Sequence, residues 1–242
     1  MARASRTVLI VENGHNRGEA IGRMAKIAGL EVQLARAYRG EPLPRPQSAP
    51  VIILTGGPGS VCGLPPSDSA LLGRVLEFTQ LAIERWTPII GICLGHQMIA
   101  RALNGKVVRR ARREVGIRRI YPLVSPGSEN AEGSELRAFV FHQDHVPEAP
   151  PGCTVTFRSD GCAVQGFNHR ERPLHGLQFH PEIAGPQAQS ILRWWYRDNI
   201  VPCSKLDDAA AFDAKPAQEL LLNLIRQYTV KTTVGGAVSG RS

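Results

Sequence analysis

No apolar run in the sequence approaches the roughly 18 residues of a membrane-spanning helix, so none is expected. The start is basic through Thr7, but the apolar stretch 8–11 ends at Glu12. That is too short for a secretory core, and a cytoplasmic location is expected. Cysteine is sparse and odd in number: Cys62, Cys93, Cys153, Cys162 and Cys203, with no CxxC pair or finger spacing. Neither a disulfide framework nor a zinc site is expected. There is no internal repeat. At 43% hydrophobic and 21% charged residues the composition is ordinary, which excludes disorder, collagen and coiled coil.

Acidic residues are also short, at 21 against 29 Lys+Arg, giving a net charge of +8. The deficit is local. Residues 101–119 hold Arg101, Lys106, Arg109, Arg110, Arg112, Arg113, Arg118 and Arg119, against one acid, Glu114. The rest of the chain is close to neutral, so general nucleic-acid binding is not indicated.

What is present is an alternation. Short apolar, β-branched runs at 7–11, 51–54 and 88–92, with 31–35, read as strands. Helical spacing falls between them at 17–28 and 69–85, and again near 97–103. This predicts an α/β fold with a mainly parallel central sheet flanked by helices. The second half predicts extra short strands at 106–109, 116–123, 138–141, 154–159, 162–167 and 174–179, then helices at 186–197 and 216–228. The economical division is one domain over 1–203. Residues 204–242 are then a C-terminal helical appendage with a mobile tail from Thr232.

Three segments carry chemistry. Gly91-Ile92-Cys93-Leu94-Gly95 follows an apolar strand and opens a helix, as a nucleophile elbow does. Helix N-termini favour thiolate, so Cys93 is a candidate nucleophile. His180-Pro181-Glu182 supplies a base and a carboxylate to orient it, two residues apart as on one side of an extended chain. Gly56-Gly57-Pro58-Gly59 ends another strand without the lysine of a phosphate loop. Bare N–H groups there suit an oxyanion hole or a plain tight turn.

These segments, Gly91–Gln97, Thr55–Val61 and Gly176–Glu182, resemble the class I (triad) glutamine amidotransferases, and most of all the amidotransferase part of GMP synthetase. Supporting similarity lies in Arg113-Glu-Val-Gly116, Phe141-His-Gln-Asp-His-Val146 and residues 158–165. The resemblance implies a flavodoxin-like fold with Cys93 as nucleophile, His180 as base and Glu182 as its orienter. It implies an oxyanion hole from the N–H groups of Gly57 and Leu94. It implies L-glutamine held by Gln97, His142, Gln143 and Asp144, with no metal or cofactor. Where the family commonly has Ser-His-Gly-Asp, this chain has Phe141-His142-Gln143-Asp144. No ATP-pyrophosphatase loop follows residue 200, so the expected ammonia acceptor is a separate synthetase or ligase.

Rival readings are a γ-glutamyl hydrolase with the same triad, and a non-catalytic binding protein using residues 101–119. That basic segment is either a solvated face or a docking surface, following the elbow helix and preceding a strand. His142 and His145 are candidates for a pocket. His96 is expected as a polar residue at a helix start, and His169 and His175 as solvated. Trp194 and Trp195 are expected to pack, and the four other cysteines to be structural.

Overall fold

The structure, a computed structural model, describes residues 6–14, 17–63, 70–123, 136–196 and 203–229. The tail expected to be mobile lies outside the described residues. One sheet of nine strands forms the centre, among the described residues. Its parallel half is β2 (Glu31–Ala35), β1 (Thr7–Val11), β3 (Val51–Leu54), β4 (Ile89–Ile92) and β9 (Leu174–Leu177), in that spatial order. The sheet continues antiparallel through β8 (Cys162–His169), β7 (Cys153–Ser159), β5 (Val108–Pro122) and β6 (Leu136–His145).

The unbroken apolar runs of β1, β3 and β4 are explained by cover on both faces. Successive side chains alternate between the faces. Val8, Ile10, Val51, Ile53 and Ile90 pack with Ile21 and Ala25 of α1 (Arg17–Ile27) and with Leu221 and Ile225 of α6 (Lys215–Thr229). Leu9, Val11, Ile52, Leu54 and Ile89 pack on the other side, with Val75 and Phe78 of α2 (Ala70–Glu84) and Met98 and Ile99 of α3 (Leu94–Ala102). A third cluster joins Val115 and Phe139 to Ala188 and Leu192 of α4 (Gly185–Trp195), Ala209 of α5 (Cys203–Ala210) and Phe212. The helices beyond residue 203 therefore bury apolar side chains in the same cores as the strands.

Three local expectations are corrected. The strands expected at 106–109 and 116–123 are one long strand, β5, which contains the arginines rather than following them. Its pairing with β6 slips between Arg109 and Glu114, a bulge that splits the apolar pattern and hides the continuity from sequence. The helix expected near 97 begins at Leu94, directly after Cys93, and Arg101 lies in its last turn. Helix α5 falls where no helix was expected.

Candidate active site

The site forms at the carboxyl ends of β3, β4 and β9, where open α/β sheets place their ligand crevices. Cys93 sits between β4 and α3 with φ 52° and ψ −102°, a conformation L residues rarely adopt. Such a residue costs about 1–3 kcal/mol and persists only where its surroundings fix it. The glycines on either side make the turn closable. A Cβ on Gly95 would lie 2.2 Å from the carbonyl oxygen of Leu54, and one on Gly91 would lie 2.4 Å from that of Gly95. The Cys93 N–H donates to the Leu177 carbonyl at 2.7 Å, tying the elbow to the end of β9.

From that end the chain runs on to His180. Strand β9 stops at Leu177, and His180 makes an isolated antiparallel bridge to Phe139, its N–H donating to the Phe139 carbonyl at 2.8 Å. Pro181 and Glu182 then turn, so the two side chains meet across a turn rather than along the extended strand expected. Nδ1 of His180 lies 2.7 Å from Oε1 of Glu182, with both side chains buried. A carboxylate only accepts, so Nδ1 carries the proton and Nε2 is left for the thiol. Cys93 lies near enough to His180 to favour the charged form of its ring. Gly56 lies against both residues: a Cβ there would be 2.8 Å from Cε1 of His180 and 3.3 Å from Cβ of Cys93.

Burial works against the His180 imidazolium, but the Glu182 carboxylate and, after it, the neighbouring Cys93 outweigh it, and the pKa is pushed up to about 9. Burial also opposes the Glu182 charge, yet the His180 imidazolium holds its carboxyl below the ordinary range, with Arg17 adding to the effect.

The cleft over Cys93 is lined by Gly57, Leu94, Gln97, His142, Gln143 and Asp144, with Gly59, Arg109, Arg113 and Phe141. Leu94 is the first residue of α3, so its N–H has no partner within the helix. Nε2 of Gln97 donates to the Asp144 carbonyl at 2.8 Å and to Oε1 of Gln178 at 3.2 Å. Nε2 of Gln143 donates to the Arg110 carbonyl at 3.0 Å. The Asp144 carboxylate receives Nε of Arg109 at 2.8 Å and the Ser60 hydroxyl.

Residues 9–198 match the family described as glutamine amidotransferase class-I. The chain belongs to that family. The amidotransferase is 32% identical over 199 residues to a GMP synthase (glutamine-hydrolyzing) subunit of Thermococcus kodakarensis, covering 82% of this chain and 100% of that relative. It is also 32% identical over 190 residues to the GMP synthase (glutamine-hydrolyzing) of Corynebacterium glutamicum (strain R), covering 77% of this chain and 34% of that protein's length. In fold it is similar to a glutamine amidotransferase of Methylobacillus flagellatus, with a TM-score of 0.77, 22% identity and cover of 96% and 99% of the two chains.

In the amidotransferase, His142 is buried in the cleft wall as expected of a pocket residue, whereas His145 is half-buried and outside the lining. Three other histidines differ from expectation. His96 is not a polar helix start but wholly buried, its ring centroid 4.6 Å from that of Phe167, and burial pulls its pKa down to about 3. His175 is not solvated. Its ring nitrogens lie 2.8 Å from Oδ1 of Asn168 and 2.7 Å from the Tyr228 hydroxyl, and burial lowers its pKa to about 4. The half-buried His169 accepts from the N–H groups of Glu171 and Arg172 at 3.1 and 3.0 Å, closing a turn. Trp194 and Trp195 stay 58% and 37% exposed, beside Phe141 at the cleft mouth.

Sequence reasoning also missed the buried Glu114. It lies 3.2 Å from Nη1 of Arg110, 3.3 Å from Nε of Arg118 and 3.3 Å from Nε2 of His142. Burial opposes its charge, but His142, Arg118 and Arg110 hold the carboxyl below its ordinary range. The signal was available, since Glu114 is the lone acid in the basic run. Cys153 and Cys162 are buried and free, and burial pushes their thiols up to about 12 and about 11. Among the described residues, no three His, Cys, Asp or Glu side chains gather as a metal site would need, and no helix is long and apolar enough to cross a membrane.

Proposed function

We propose that this amidotransferase hydrolyses L-glutamine to glutamate and ammonia through a Cys93-His180-Glu182 triad. The Cys93 thiolate attacks the side-chain amide carbon. The oxyanion that forms is met by the N–H groups of Gly57 and Leu94. His180 gives its proton to the departing nitrogen, the C–N bond breaks, and ammonia leaves a γ-glutamyl thioester. Water then attacks the thioester, with His180 taking its proton, and glutamate and the thiolate are released. Glu182 holds the imidazole in the productive tautomer and supports its charge. Gln97, His142, Gln143 and Asp144 hold the glutamyl group.

The observation that carries this reading is the strained Cys93 backbone beside a buried His180–Glu182 pair at 2.7 Å. The ammonia passes to a separate synthetase or ligase, docked through the exposed face of residues 101–119. The names of the relatives support such a division, since the Thermococcus kodakarensis protein is named as one subunit of a GMP synthase. Among the described residues, ion pairs within the molecule hold Lys106, Arg109, Arg110 and Arg118. The docking face is therefore smaller than the sequence suggests.

A glutamine-mimicking electrophile tests the site. Peptide mapping should find the label on Cys93 and not on Cys153 or Cys162, whose buried thiols stay protonated at neutral pH. Equal labelling of either would contradict the assignment.

A further inference from the structure

Resting on the glutaminase reading, we propose that Arg113 is the receptor for the substrate's α-carboxylate, so that the cleft selects γ-amides bearing that group. Two cations line the cleft over Cys93, Arg109 and Arg113. Arg109 is already committed to Asp144 at 2.8 Å. Arg113 has no acidic partner among the described residues. Its guanidinium instead lies over two rings, 5.0 Å from the centroid of Phe141 and 5.1 Å from that of Trp195. Those rings meet edge to face, 5.2 Å apart at 87°.

Stacking of this kind holds a long side chain in place while leaving its edge donors unused. That fork of N–H groups matches a carboxylate. The bulge in β5 between Arg109 and Glu114 frees Arg113 from the β6 ladder, a usual device for re-aiming a side chain. Phe141 spans the distance to the nucleophile. Its carbonyl oxygen lies 3.9 Å from Sγ of Cys93, while its ring carries Arg113. With the amide of glutamine at Cys93, the far end of the substrate lies along this residue.

Charge points the same way. The substrate's far end carries an ammonium and a carboxylate. The Asp144 carboxylate, matched by Arg109 and Ser60, sits on one wall, and Arg113 is the unmatched cation on the cleft. Phe141 and Trp195 act here as positioning residues.

The test compares L-glutamine with 4-aminobutanamide, which keeps the amide and the amine and lacks the carboxylate. Binding is measured by calorimetric titration of the Cys93→Ala protein with and without Arg113→Ala. The arginine change should weaken L-glutamine about tenfold or more and leave 4-aminobutanamide unaffected. Arg113→Lys should recover part of the loss. With Cys93 intact, Arg113→Ala should raise KM for glutamine and spare kcat. Glutamine binding that does not depend on Arg113, or equal weakening of both amides, overturns the inference. Arg113-dependent binding in a protein that never turns glutamine over overturns the glutaminase reading alone.

Discussion

Replacing Glu182 by glutamine removes one charge from a buried pair and keeps its shape. In the native protein the His180 imidazolium bears the cost of burial, and the carboxylate at 2.7 Å, with Cys93 beside the ring, more than offsets it. The rise from 6.5 to about 9 corresponds to roughly 3 kcal/mol in favour of the charged ring, net of burial. With the carboxylate gone, burial remains and one anion is lost, so the pKa falls by about 1–3 pH units. Below its pKa His180 can protonate departing ammonia, and above it cannot. The alkaline fall of kcat/KM should therefore lie near pH 9 in the native enzyme and move towards neutrality in Glu182→Gln. A carboxamide also permits the wrong tautomer, and kcat should drop by about 100- to 10,000-fold. The stability linkage has the same sign: a raised folded-state pKa stabilises fully below about 6.5 and is lost as pH rises through about 9. Glutamate formation followed across buffers from mildly acidic to strongly alkaline reads both effects. An alkaline limb that stays where it was would refute the assignment of Glu182 to His180.

Two further outcomes concern the frame. Leu221→Ala removes a wholly buried side chain of α6 from a core it shares with β1 and β3, and should cost about 2–5 kcal/mol in denaturant unfolding. A loss near zero would mean that α6 is a dispensable attachment. His175 has its pKa lowered by burial to about 4, so its neutral form stabilises above about 6.5 and that contribution is lost as pH falls through about 4. His175→Gln should flatten the decline of the thermal midpoint over that interval, and an unchanged decline would contradict the burial argument.

The parallel half of the fold was legible because its strands are short, apolar and separated by helical spacing. The residues of the proposed triad were legible because a Cys between two glycines at a strand–helix junction and a His-Pro-Glu run are dense local signals. What escaped depends on contacts distant in sequence. The run Val108–Pro122 marks Glu114 as its lone acid but does not tell which groups surround it, Arg110, Arg118 and His142, because the bulge that places it is set by pairing with β6. His175 read as solvated because its neighbours are polar, yet Tyr228 arrives from α6, 53 residues away. Trp194 and Trp195 read as packing because aromatic residues on an amphipathic helix usually pack. Here they stay exposed beside Phe141, which lines the cleft. Helix α5 was missed, and its described Ala209 is buried only because α5 packs against α4.

The central claim is that glutamine is cleaved by the Cys93 thiolate. The most direct measurement is the rate of glutamate and ammonia formation from L-glutamine by the native protein and by Cys93→Ala, with circular dichroism confirming that the variant is folded. The account predicts equimolar glutamate and ammonia from the native protein and a loss of several orders of magnitude, about 10⁴-fold or more, in the variant. Hydrolysis by Cys93→Ala at a rate near that of the native protein would contradict it.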